Sequence, residues 1–246
     1  MSKLISVERF LGSFIFTTSL SLLIITISLA DITSYENMKP LFVGLIGERA
    51  MEKDGAKAAE TYSQLSAYCE NKESVEIPMD SEKLEVKCAD IKSGGPENLN
   101  NVIASAMFDK IYYKKYSCGF VECIKSGGEN LLVVASSTGN RFFQDSILYI
   151  AAATTFGAIA VLILTETLAG KLKAFGKDCM SVGALAFLML LSGIILPKFV
   201  PAEVLGNVSG FLGAITNTMA IRFLIVFFAG IILFIMGYLI GRKKKS

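Results

Sequence analysis

Four uncharged, strongly apolar stretches punctuate the chain, each near twenty residues: Phe10 to Ala30, Ser146 to Thr165, Cys179 to Pro197 and Phe223 to Gly241. At about 1.5 Å per residue, each is long enough to cross about 30 Å of hydrocarbon as a helix. Charged residues close every stretch, with Arg9 and Asp31 around the first, Asp145 and Glu166 around the second, Asp178 and Lys198 around the third, and Arg222 and Arg242 around the fourth. A fifth uncharged run, Val204 to Ile221, holds Gly206, Gly210, Gly213, Asn207 and Asn217. Its lower hydrophobicity predicts an interfacial or re-entrant helix within a loop, with a full span as the alternative.

The long interval between the first two stretches has a different texture. From about Pro40 to Glu70, Leu41, Leu45, Ile46, Met51, Ala58, Tyr62 and Leu65 recur at helical spacing, and Asp54-Gly55 predicts a break into two helices. Ser74 to Pro78 and Lys83 to Cys88 alternate apolar with charged residues around Met79-Asp80-Ser81-Glu82, the pattern of a β-hairpin with one wet face. After Gly94-Gly95-Pro96 comes the strongest helix signal, Glu97 to Tyr113. Its stripe is Leu99, Val102, Ile103, Ala106, Met107 and Phe108, with Pro96 at the start. The unbroken apolar run Leu131 to Ala135 predicts a buried strand, and Ser137 to Gln144 a short lead into the second span.

Composition places this pattern in a membrane. The 246 residues are 52% hydrophobic and 19% charged, and the mean hydropathy is +0.53. These values exclude a disordered chain, and a net charge of +2 offers no field for nucleic acid. Residues 31–145 carry 13 Lys and Arg against 18 Asp and Glu, net −5, while the rest carries 11 against 4, net +7. With both ends cytoplasmic, the inner side holds Lys3, Arg9, Lys171, Lys173, Lys177 and the Arg242-Lys243-Lys244-Lys245 cluster, whereas the short outer loop holds only Lys198 and Arg222. The positive-inside rule therefore puts residues 31–145 outside the cytoplasm. Ser28-Leu29-Ala30 would suit a signal peptidase, but a twenty-one-residue apolar core predicts an uncleaved anchor.

Four of the five cysteines, Cys69, Cys88, Cys118 and Cys123, fall in that outer interval, an even set suited to an oxidising compartment. Three pairings are open to them. Cys69 with Cys88 and Cys118 with Cys123 is favoured, because the hairpin would bring the first two together. The Cys118-x4-Cys123 spacing could instead support a thiol oxidoreductase. Four spans with two outer cysteine pairs match the outline of the quinone-linked disulfide-forming oxidases, yet no Cys-x-x-Cys occurs. Glu122 beside Cys123 would also hinder a reactive thiolate. The absence of tryptophan similarly removes the loop signature of claudin-type junction proteins. Histidine is absent, and no metal or cofactor motif is present.

Ala153 with Gly157, Gly206 with Gly210 and Gly237 with Gly241 are small-x-x-x-small pairs suited to close helix packing. Glu166, Asp178, Lys198 and Arg222 sit at span ends, and no ionisable residue is expected inside a span, which weighs against an ion-coupled transporter. Asn207-Val208-Ser209 fits a glycosylation acceptor on the outer side.

The expected fold is a membrane all-α bundle of four transmembrane helices, with a disulfide-stabilised α+β extracytoplasmic domain inserted between helices 1 and 2. Its segments are a cytoplasmic tail (1–9), helix 1 (10–30), the outer domain (31–145), helix 2 (146–165), a cytoplasmic loop (166–178), helix 3 (179–197), an outer loop with an interfacial helix (198–222), helix 4 (223–241) and a basic tail (242–246). The expected role is non-enzymatic and needs no cofactor: a cell-membrane protein whose outer domain offers a binding or structural surface, with the lipid bilayer and another membrane protein or copies of itself as partners, and no nucleic acid. Phe108, Ile111, Tyr112 and Tyr113 are the candidate partner contacts, and Arg242, Lys243, Lys244 and Lys245 the candidate contacts to anionic lipid. The alternatives are a small channel or transporter subunit and a membrane thiol-disulfide oxidoreductase.

Overall fold

A computed structural model describes residues 2–79, 82–188 and 202–243. The chain divides into two compact units, residues 1–30 with 142–246, and residues 31–141. The described residues are mostly helical: α1 (Ser2–Ile32), α2 (Tyr35–Tyr68), a hairpin of β1 (Ser74–Met79) and β2 (Glu82–Lys87), α3 (Cys88–Tyr112), α4 (Phe120–Ser126), a 3-10 helix (Gly128–Ala135), α5 (Ser137–Ile163), α6 (Leu168–Gly183) and α7 (Ala202–Lys243).

Among the described residues, three helices are long and apolar enough to cross a membrane, over Val7–Ile32, Ser137–Ile163 and Thr216–Arg242. In α1, hydroxyls that would otherwise meet an apolar surround bond to the helix's own turns: Ser19 Oγ donates to Ile15 O at 2.6 Å, Ser21 to Thr17 O at 2.8 Å and Thr26 to Leu22 O at 2.8 Å. The backbones pack through glycines. A Cβ added at Gly157 of α5 would stand 2.8 Å from Phe16 Cα of α1, and one at Gly230 of α7 would stand 2.7 Å from Met180 N of α6. Gly237 approaches Ala169 O in the same way, at 2.8 Å.

Three expectations for this unit change. Of residues 166–178, expected as a loop, those from Leu168 onward belong to α6, because Thr167 is an N-cap whose hydroxyl accepts from Gly170 N at 3.1 Å. The loop and interfacial helix expected before residue 223 are instead the first half of α7, which runs unbroken from Ala202. Glycines each cost about 1 kcal/mol in a helix, too little to interrupt one this long and apolar. Third, Arg222 lies within the apolar window of α7 rather than at its edge, donating to Ser28 Oγ at 3.1 Å. The expected third span, 179–197, is described only to residue 188, and its remainder lies outside the described residues, as do Lys244 and Lys245 and the side chains around Gly206 and Gly210.

Residues 31–141 form the mixed unit. The hairpin pairs Ser74 with Lys87 through Met79 with Glu82, antiparallel and in the expected register of alternation: Val75, Leu84 and Val86 are buried, while Lys83, Glu85 and Lys87 are exposed. Its dry face packs on Ile91 and Leu99 of α3, with Tyr62 and Leu65 of α2 closing the cluster. A second, aromatic centre joins Tyr35 and Phe42 of α2 to Phe108 and Tyr112 of α3, with ring centroids 5.3–5.7 Å apart. Both expected cysteine pairs sit at disulfide geometry, with Cα separations of 5.3 Å for Cys69 and Cys88 and 5.4 Å for Cys118 and Cys123.

Here too the local signals misled in places. The break at Asp54-Gly55 is absent, and α2 is continuous, since Lys57, Ala58 and Ala59 are strong helix formers beside one glycine. At Gly95 the expected discontinuity is real: φ is +72°, a value glycine adopts freely, and Pro96 then opens the main part of α3. Leu131 to Ala135 is not a strand but part of the 3-10 helix, burying Val133 and leaving Leu131 and Leu132 exposed. With Ser136 and Gly139 also buried, the inward positions recur every three residues. Ser136 then caps α5, which begins at Ser137, where only a lead-in was expected.

Candidate functional site

An open groove of about 950 Å³ runs between β2 and α3 in the 31–141 unit. Hairpin alternation creates one wall: with Leu84 and Val86 turned into the core, Lys83, Glu85 and Lys87 stand at the rim. Helical spacing creates the other, because Asn98, Asn101, Ser105 and Asp109 fall three or four residues apart on one face of α3. Val102 and Ala106 lie between them and provide an apolar floor. Lys110 Nζ crosses the groove and donates to Lys83 O at 2.7 Å.

One end of the groove carries a polar triad. Lys39 Nζ donates to Tyr35 Oη at 2.6 Å and to both Asp109 oxygens at 3.0 and 3.1 Å, while Tyr35 Oη donates to Asp109 Oδ1 at 2.7 Å. On Tyr35 the Lys39 ammonium pulls downward, but the Asp109 carboxylate and burial outweigh it and hold the phenol above its usual range. On Lys39, burial pulls downward and the bonds to Tyr35 and Asp109 more than compensate, so its ammonium persists to higher pH than usual. Both groups are therefore kept protonated. The triad thus offers a cationic ammonium and a neutral phenol as hydrogen-bond donors at this end of the groove.

The four aromatic-helix candidates separate. Phe108 and Tyr112 are core residues, 1% and 5% exposed, and Tyr112 Oη donates to Thr33 O at 3.2 Å. Ile111 is half-buried, whereas Tyr113 is exposed. Of the four, Tyr113 alone is exposed, and its ring packs on those of Tyr112 and Tyr35 at centroid distances of 5.2 and 5.7 Å. The polar residues that wall the groove add nothing to the apolar stripe of α3, so no hydrophobic period marks it. Its signal was nonetheless present, in the i, i+3, i+7, i+11 spacing of Asn98, Asn101, Ser105 and Asp109.

Cys118 and Cys123 bracket the start of α4, and Cys123 is fully buried. Cys179, the free cysteine among the described residues, is also buried. No cluster of His, Cys, Asp or Glu among the described residues could hold a metal ion. Of the basic cluster, Arg242 is exposed at the end of α7.

The helical unit has its own polar concavity, about 450 Å³, bounded by α1 and α6. Asp178, expected at a span end, is buried there at 7% exposure. Ser13 Oγ donates to its Oδ1 at 2.6 Å, and its buried Oδ2 has no hydrogen-bond partner. Arg9 and Lys177 also line this cavity.

No family model matches the chain, and neither a curated protein nor a solved structure matches it.

Proposed function

We propose that this chain is a four-span membrane protein, both ends cytoplasmic, that displays residues 31–141 outside the cytoplasm as a non-enzymatic binding domain. The groove between β2 and α3 carries this reading, since it combines a wide opening, an apolar floor and two polar walls without a nucleophile–base pair. Three apolar helices, the excess of basic residues on the inner side and two cysteine pairs suited to an oxidising compartment support the orientation. A full span over residues 179–197 completes the proposed topology.

The test is a photo-activated crosslinking side chain at Asn101, on the groove wall, in the full chain in intact cells. Irradiation should give a discrete crosslinked band, and a membrane-impermeant thiol reagent should label an exposed variant such as Lys114→Cys from outside. Labelling only after the membrane is opened would overturn the orientation, and the absence of any crosslinked species would overturn the binding site.

Asp178 favours one second reading, a channel or transporter subunit, because a buried carboxylate with an unpartnered oxygen among apolar helices is where an ion path would leave its mark. Ion flux into liposomes that is lost in Asp178→Asn would establish it, and flux indistinguishable from empty liposomes would dismiss it. Full burial of Cys123 weighs against thiol exchange.

A further inference from the structure

β2 presents an unpaired edge. Cys88 N donates to Glu73 O at 2.9 Å, and the register pairs Val75 with Val86 and Ile77 with Leu84. Because backbone groups in an antiparallel ladder alternate direction, even-numbered residues of β2 turn their groups toward β1. Lys83, Glu85 and Lys87 consequently turn theirs outward, in agreement with the bond from Lys110 Nζ to Lys83 O. The Lys87 carbonyl lies at the N-cap of α3. Among the described residues, both backbone groups of Glu85 and the N–H groups of Lys83 and Lys87 have no partner.

Such an edge is a template for a further strand. On β1 the corresponding outward position is held by Pro78, which has no N–H to offer, so the hairpin is blunted on that side alone. On β2 the outward groups border the groove.

Resting on the reading of that groove as a binding face, we propose that β2 pairs antiparallel with β2 of a second copy of this chain, joining two hairpins into one four-stranded sheet. Charge selects the occupant and the register. Along β2 the exposed side chains run Lys83, Glu85, Lys87, a sequence complementary to itself when displaced by one pair. Centred on Leu84, each Lys83 faces Glu85 of the other copy, and the outward N–H and C=O of both residues exchange hydrogen bonds. Centred on Glu85, that carboxylate faces its own copy and Lys83 faces Lys87, a set of like-charge pairs that repel. Centring on Val86 would direct bonds to the Lys87 carbonyl, which the start of α3 already uses. In the chosen register Lys110 releases Lys83 O, and the second copy's Glu85 N–H takes its place.

The test uses the full chain in detergent or nanodiscs, with mass by light scattering and register by crosslinking. Wild type should be dimeric, and Glu85→Lys or Lys83→Glu alone should weaken the dimer by about ten-fold, because two attractive cross-strand pairs become repulsive. The double exchange K83E/E85K should restore it. Both positions are exposed, so folding is not at stake, and near-ultraviolet circular dichroism checks that. A mixture of Lys83→Cys and Glu85→Cys copies should form a disulfide on oxidation that Glu85→Cys alone does not. A monomeric wild type, or a dimer indifferent to charge reversal, overturns the pairing. If the chain is monomeric yet the Asn101 crosslinker captures a different protein, this pairing falls while the binding-domain reading stands; if it captures nothing, both fall.

Discussion

The helical unit and the 31–141 unit both bury apolar clusters, but they bring their helices together differently. Helices α6 and α7 touch backbone to backbone at Gly176, Gly183, Gly230 and Gly237, whereas α2, α3 and the hairpin meet through Phe42, Phe108, Leu84 and Ile91 and are closed by cysteine pairs. The contrast follows from solvent. Among lipid chains an apolar side chain gains little by meeting another, so close van der Waals approach carries helix association. In water, burial of apolar area drives packing, and a unit of this size gains further stability from crosslinks.

Several substitutions would break that contrast if it is wrong. Phe108→Ala should be the most damaging, costing the 31–141 unit about 3–5 kcal/mol by leaving a cavity among Tyr35, Phe42 and Tyr112. Urea unfolding followed by near-ultraviolet circular dichroism should show this, with the helical unit's thermal transition unmoved. Replacing Cys69 and Cys88 together by alanine should cost about 3 kcal/mol, and replacing Cys118 and Cys123 about 2 kcal/mol, because the latter close a shorter loop. Equal losses would show that loop length does not govern the effect.

Enlarging a glycine tests the other unit. Gly230→Val should lower the stability of the α6–α7 pair by about 1–3 kcal/mol through overpacking, read as a lower melting temperature in detergent, and should leave the urea midpoint of the 31–141 unit unchanged. Smaller still is the pH effect of the polar triad. Lys39 and Tyr35 both have folded pKa values above their ordinary ones, so each adds stability that is complete below its unfolded pKa and is lost as pH rises through the folded one. The 31–141 unit should weaken above about pH 10, and Lys39→Met should flatten that decline. A decline of the same slope in the variant would remove the triad from the account.

Tyr116→Phe should have the least effect and the reverse sign. The Tyr116 hydroxyl is buried without a hydrogen-bond partner, so its removal should leave stability unchanged or raise it by about 1 kcal/mol. A clear loss would reveal a partner for that hydroxyl.

The features legible from sequence were those with a strong period or a stiff punctuating residue. Alternation exposed the hairpin and its wet face, the apolar stripe with Pro96 exposed α3, and twenty uncharged residues exposed α1, much of α5 and the second half of α7. Lone glycines were overvalued as breakers: Gly55 and the glycines of residues 206–213 sit within continuous helices. The Leu131 to Ala135 run was misread because five apolar residues carry no period of their own, and only burial at Val133, Ser136 and Gly139 reveals a three-residue turn. The groove and the burial of Asp178 depend on which helix faces meet, and that is a tertiary fact no local pattern holds.

The most direct test of the account is intact mass after alkylation of the denatured full chain, purified from its native membrane, with and without reductant. The account predicts that Cys179 alone reacts before reduction and that all five cysteines react after it. Reaction of any of Cys69, Cys88, Cys118 or Cys123 without reductant would contradict the disulfide-closed domain, and with it the placement of residues 31–141 outside the cytoplasm.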